Sequence, residues 1–193
     1  MTRVAAKIIV ISFFLLNCTA CADSIRQRVN QGVDDAKAAM RAEEEKSENM
    51  FNTAKEVAIR QTADPLVKAK IATLTDYIHA NVHLLDSTIG ELEHLDINSQ
   101  ADFEYVKIMF LYKGVGDRIY KQIFDVHVSA REIAGWSGRE GEVDRLKNGV
   151  INTLSVESWK EGDFASTGPL GASLILHSLK VELFQVGAIC LTG

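Results

Sequence analysis

The stretch from Asp64 to Leu95 most constrains what this chain can fold into, because it reads as one long amphipathic helix. Asp64 offers a carboxylate to free N–H groups, and Pro65 follows with a fixed φ that suits a first helical turn. Ile71, Leu74, Ile78, Val82, Leu85, Ile89 and Leu92 then recur in steps of three and four, which puts them on one face. Lys68, Lys70, Asp76, Asn81, Asp86 and Glu91 lie between them as a solvated face. A stripe of that length is stable only under cover, so other helices must pack on it.

The remaining composition agrees. With 193 residues the chain is long enough for one buried core plus an anchor. Two prolines, and abundant Ala, Leu, Lys and Glu, predict an all-α fold. The expected architecture is a helical bundle of four to five helices, with a long N-terminal helix behind a short hydrophobic anchor. The net charge of −5 is spread out, and no basic stripe is interleaved with aromatics, so nucleic acid is not an expected partner. Cys18, Cys21 and Cys190 are too few and too unevenly placed for a disulfide framework or a metal site.

The N-terminus reads as a signal peptide or membrane anchor over residues 1–21, with the bundle over 22–193. Arg3 and Lys7 precede an apolar run from Ile8 to Leu16. That run suits a signal-peptide core and falls short of the about 20 apolar residues that span a bilayer. Thr19-Ala20-Cys21 resembles the end of a bacterial lipobox, with Cys18 where leucine is usual, and makes Cys21 the candidate for lipid attachment. A short transmembrane helix from about Val4 to Ala22, with Lys7 snorkelling and Asn17 buried, and a simply cleaved signal are the competing readings. Ser24-Ile25-Arg26-Gln27 fits a capping box, which predicts a helix start at Ser24.

From Ser24 to about Gln61 a second long helix is expected. Ile25, Val29, Val33, Ala36 and Met40 mark its first apolar face, and Phe51, Ala54, Val57 and Ala58 resume it. Arg41 to Glu48 has almost nothing to bury: either it is a solvated stretch of helix supported by pairs such as Arg41 with Glu45, or the helix leaves the bundle here as a stalk or a dimer arm. Ile25, Val29, Val33 and Met40 need a cover, which predicts a homodimer interface. Phe103 to Tyr112 is ambiguous in period. Gly114 to Asp117 opens a helix to about Ala134, with Ile119, Tyr120, Ile123, Phe124 and Val128 inward. A shorter helix is expected from about Glu142 to Leu154. Trp159 and Phe164 sit in a loop, where they either plug the end of the bundle or form a recognition patch. Pro169 to Leu191 is apolar nearly all round and reads as a buried central helix, although His177, Lys180, Glu182 and Gln185 interrupt it.

Little in the chain carries chemistry. His79 and His83 sit four apart, but Ala80 stands where a zinc protease needs Glu, and no third ligand is evident. No Gly-x-Ser-x-Gly elbow occurs, and Glu43, Glu44 and Glu45 are adjacent rather than spaced across a cleft. No enzyme and no cofactor are expected.

Two segments resemble a known family. One is Lys113-Gly114-Val115-Gly116-Asp117-Arg118-Ile119-Tyr120-Lys121; the other is Trp159, Phe164 and Pro169-Leu170-Gly171-Ala172, followed by Ser178-Leu179. Both look like the N-terminal, first periplasmic domain of the gliding-motility protein GldM, a component of the type IX secretion motor of Bacteroidota. The resemblance implies a dimeric, domain-swapped helical bundle on the periplasmic side of the inner membrane, with GldL or other gliding and secretion components as partners. The polar motor residues of the family's transmembrane helix have no match here, so proton coupling is not carried over. The end at Gly193, where the first domain closes, leads to the expectation of a stand-alone bundle without the family's later domains. The expected function is therefore a non-enzymatic cell-envelope protein acting by protein–protein interaction. The alternative is an unrelated helical-bundle lipoprotein that binds an envelope partner or ligand.

Overall fold

The structure, a computed structural model of the chain, describes residues 2–145 and 168–192, with side chains described apart from those of residues 2–26, Val29 and Leu111. Every element among the described residues is helical: α1 Thr2–Gln61, α2 Pro65–Glu93, α3 Gln100–Lys107, a π-helical turn Ile108–Tyr112, α4 Val115–Ala134 and α5 Gly168–Leu191. Residues 140–145 are helical as well. The chain is an all-α helical bundle. Its contacts divide it into two units, Met1–Ala39 and Met40–Gly193, and the second holds the bundle.

Helix α1 corrects one expectation. It does not begin at Ser24 but runs from Thr2 to Gln61. A capping box matters only where the first N–H groups are free. With helix already formed before Ser24, those groups have carbonyl partners one turn back. Helix α2 starts as read: Asp64 accepts a hydrogen bond from the Leu66 N–H at 2.8 Å, and Pro65 stands in the first turn. Ile71, Leu74, Ile78, Leu85, Ile89 and Leu92 are buried, with Val82 at the edge of the stripe.

The ambiguous stretch after Ser99 resolves into α3 and the π-helical turn, whose extra residue per turn defeats both simple periods. Gly114 then adopts φ 67, a left-handed conformation open to glycine, and starts α4. Here a second correction falls. Phe124 and Val128 face outward, 39% and 45% exposed, while Val126 and Ala130 take the inner positions beside Ile119 and Ile123. The residues facing α2 and α5 set the phase of α4, and side-chain size does not.

Pairs across the helices give the topology. Glu44 meets Lys180, and seven residues later Phe51 meets Phe184, so α1 and α5 run parallel. Ile78 approaches Gly187 while Asp86 reaches Lys180, so α2 runs antiparallel to α5. Lys70 pairs with Glu132, and Asn81 donates to the Gln122 carbonyl, so α2 and α4 are also antiparallel. Helix α5 packs on α2, α4 and α3. Among the described residues it alone is long and apolar enough to cross a membrane, with a mean hydropathy of 1.6, yet 67% of its most apolar window is buried in the bundle. That burial is what a central helix requires.

Candidate functional site

The inward face of α1 reads Met40, Glu44, Ser47, Phe51, Ala54, Ala58, and the matching face of α5 reads Ser173, His177, Lys180, Phe184, Gly187, Leu191. Both follow the same four-three-four-three-four steps, which is the spacing of two helices that pack side by side over several turns. The far half of this seam is apolar: the Phe51 and Phe184 rings lie 6.0 Å apart, and Phe51 fills the space left by Gly187. The near half is polar, and nonetheless Glu44, Ser47, His177 and Lys180 are all buried, none more than 9% exposed.

Buried charge needs partners. Glu44 has two, a short hydrogen bond between its Oε1 and His177 Nδ1, and an ion pair of 2.6 Å between its Oε2 and Lys180 Nζ. Lys180 Nζ also reaches Asp86 Oδ1 of α2 at 2.7 Å, and Asp86 carries the layer to the surface. Burial alone pushes the Glu44 carboxyl up, but the hydrogen bonds and charges of His177 and Lys180 together hold it below the usual carboxylate range. Burial likewise pulls the Lys180 ammonium down, while Asp86 and Glu44 more than restore it and leave it raised. Since a carboxylate only accepts, His177 Nδ1 carries the hydrogen of that bond. His177 Nε2, Ser47 Oγ and Ser173 Oγ have no hydrogen-bond partner among the described residues.

A carboxylate–imidazole pair is one part of a nucleophilic site, but among the described residues no hydroxyl or thiol is bonded to His177. Cys190 is distant in role: burial pushes its thiol up to about 12, and Sγ donates to the Gly187 carbonyl at 3.2 Å. It stays a thiol rather than a thiolate nucleophile. Burial also raises the Glu182 carboxyl. The layer therefore holds α1, α2 and α5 in one register.

The other face of α1 borders an open groove of about 870 Å³, closed on its far side by the last turn of α5. Ala42 to Gln61 supply one wall, and Ala188, Ile189, Leu191 and Thr192 supply the other. Met50 and Val57 stand in it 51% and 43% exposed. A cavity of about 260 Å³ lies beyond the shared residues Gln61 and Leu191, beside Trp136 and Cys190.

Of the residues singled out in the sequence, Cys21, Ile25 and Val29 lie outside the described side chains, and Trp159 and Phe164 lie outside the described residues. Val33 and Met40 are half-buried. His79 and His83 are exposed; the His79 and Phe51 ring centroids lie 6.4 Å apart with the rings perpendicular. Among the described residues no three His, Cys, Asp or Glu side chains converge on a metal site. The stretch from Arg41 to Glu48 departs from expectation, since Glu44 and Ser47 are core residues. Arg41 pairs with Glu93 at 3.2 Å instead of Glu45, and Lys46 pairs with Glu43 at 3.3 Å. Glu44, Asp86, His177 and Lys180 were missed because charge was read ahead of phase. The signal was present: Glu44 and Ser47 continue the Phe51–Ala54–Ala58 face backward without a break.

Fold and site together define an all-α bundle with a buried ionic layer and an open apolar groove. In comparisons with known proteins the chain matches no family model, no curated protein and no solved structure.

Proposed function

We propose that the protein is a non-enzymatic component of the bacterial cell envelope that works by protein–protein interaction, held on the periplasmic side of a membrane by its N-terminal segment. The observation that supports this reading is the groove beside α1, where exposed Met50 and Val57 join Ile189 and Leu191 in a continuous apolar surface. The motif resemblance supports a place among gliding-motility and type IX secretion components, with GldL among its partners. A photo-crosslinking residue at position 57 should yield one adduct of discrete mass in the cell, lost in Met50→Asp. A crosslinker at 57 and at other exposed sites that captures nothing would end the interaction reading.

Membrane attachment rests on the apolar run from Ile8 to Leu16 and on Thr19-Ala20-Cys21. Mass spectrometry of the membrane fraction should find a mature N-terminus at acylated Cys21, and Cys21→Ser should leave the chain unprocessed. An intact Met1 peptide from membranes would replace the lipid anchor by a spanning helix. Homodimerisation through Ile25, Val29, Val33 and Met40 belongs to the same proposal. Light scattering should give a dimer mass that Val29→Glu with Val33→Glu reduces to a monomer, and an unchanged mass would place the dimer contact elsewhere.

A further inference from the structure

We propose that His79 and His83 form a bidentate site for one late first-row transition-metal ion, Cu2+ ahead of Ni2+ and Zn2+, on the solvent face of α2. Spacing is the first argument. Four residues of α-helix rise about 6 Å and nearly close one turn, so the two imidazoles stand one above the other and lean the same way. Side chains so placed are about 5–6 Å apart at Cβ, from which two imidazole nitrogens reach one ion at about 2 Å each. The buried residues Ile78, Asn81 and Leu85 fix the phase of α2, so the pair cannot turn inward.

Availability is the second argument. Both side chains are exposed, and among the described residues neither imidazole has a hydrogen-bond or ion-pair partner. The Phe51 ring, perpendicular to that of His79 with centroids 6.4 Å apart, limits the swing of the imidazole and takes neither nitrogen. His127 and His177 are buried, and His94, exposed at the end of α2, has no histidine one turn away. The donor set selects the ion. Ca2+ and Mg2+ take oxygen ligands, whereas imidazole suits Cu2+, Ni2+ and Zn2+, with Cu2+ held most tightly at a given site. Among the described residues no third His, Cys, Asp or Glu converges, and Asp86 is already engaged by Lys180 at 2.7 Å. Water therefore fills the remaining positions of the ion. Asp76, exposed one turn before His79 and in no ion pair among the described residues, adds negative charge beside the cation.

The test uses the full chain in a nonionic detergent, with Cys18→Ser and Cys21→Ser throughout because thiolates bind the same ions. Titration with Cu2+ should saturate one site per chain, and its electron paramagnetic resonance spectrum should show splitting by two imidazole nitrogens. His83→Ala should weaken Cu2+ at least about tenfold, the least that losing even a supporting partner of a ligand costs, and should leave a single nitrogen in the spectrum. His79→Ala with Ser87→His should recover both affinity and spectrum, because the exposed position 87 again lies four residues from a histidine. His94→Ala should change nothing. Zn2+ should raise the Tm of the starting chain and leave that of His83→Ala in place, since an ion that binds only the folded state stabilises it. Metal-free unfolding curves of the two chains should coincide, which separates loss of a ligand from loss of the fold. Cu2+ binding that survives His83→Ala at full strength, a starting spectrum with one nitrogen, or loss of the ion in His94→Ala would overturn the proposal.

Discussion

Glu44→Ala should destabilise the fold by about 3–5 kcal/mol, read as a lower urea midpoint for the full chain. Among the described residues the substitution leaves His177 without the acceptor of its Nδ1 and Lys180 with Asp86 alone, in a layer where Lys180 is 9% exposed. Asp86 keeps part of the compensation, which draws the effect toward the low end of that range. Replacing Glu44, His177 and Lys180 together by Met or Leu should be near neutral or stabilising, because charges that are never buried carry no desolvation cost. A Glu44→Ala effect below about 0.5 kcal/mol would show that the layer contributes nothing. The pH dependence has a definite sign. Glu44 is held below its ordinary value of 4.5, so its contribution is present above pH 4.5 and is lost as the pH falls through the lower folded value. Lys180 is raised above 10.5, so its contribution is complete below that pH and is lost as the pH rises through the folded value. Glu44→Gln should therefore flatten the acid limb of the stability profile and, because Glu44 is one of the two carboxylates that raise Lys180, weaken the alkaline limb as well.

Phe51→Ala should cost about 3–5 kcal/mol. Phe51 is fully buried, stacks toward Phe184 and occupies the gap over Gly187, so its loss opens a cavity at the meeting of α1, α2 and α5. The same gap makes Gly187 obligatory. A Cβ there would lie 2.6 Å from the Phe51 ring and 2.6 Å from Ile78 Cδ1, so Gly187→Ala should cost about 1–3 kcal/mol by overpacking despite the better helix former. In the Phe51→Ala chain the clash with the ring is gone and the end of the Ile78 side chain has the vacated space to move into, so Gly187→Ala should cost less than in the wild-type chain. Thermal unfolding of the two single variants and the double variant measures this coupling. Additive effects would mean that the ring does not rest on the glycine.

How far the sequence was legible follows from the range of each interaction. The start of α2 was readable because Asp64 and Pro65 act within one turn. Gly114 was readable because the left-handed residue and the helix it opens are neighbours. The apolar stripe of α2 and the buried character of α5 were readable because seven or more residues agree on one phase. The start of α1 was misread at Ser24 because a capping box says nothing of whether helix already precedes it. The outward turn of Phe124 was misread because α4 carries large apolar residues on both sides of its inner face, and only α2 and α5 choose between them.

The buried layer shows where local reading ends. By itself the chain determined an all-α bundle, the ends of its central helix, and a heptad-like face through Glu44 and Ser47 on α1 and through His177 and Lys180 on α5. It did not determine whether those polar residues are solvated or buried. A lone glutamate on a helix gains most by facing water, and the phase of its neighbours cannot overrule that desolvation cost. Only the packing of α1 beside α5 brings Glu44 to His177 and Lys180, partners 133 and 136 residues away along the chain. Their opposite charge and hydrogen bonds offset the cost, and that compensation exists nowhere but in the tertiary structure.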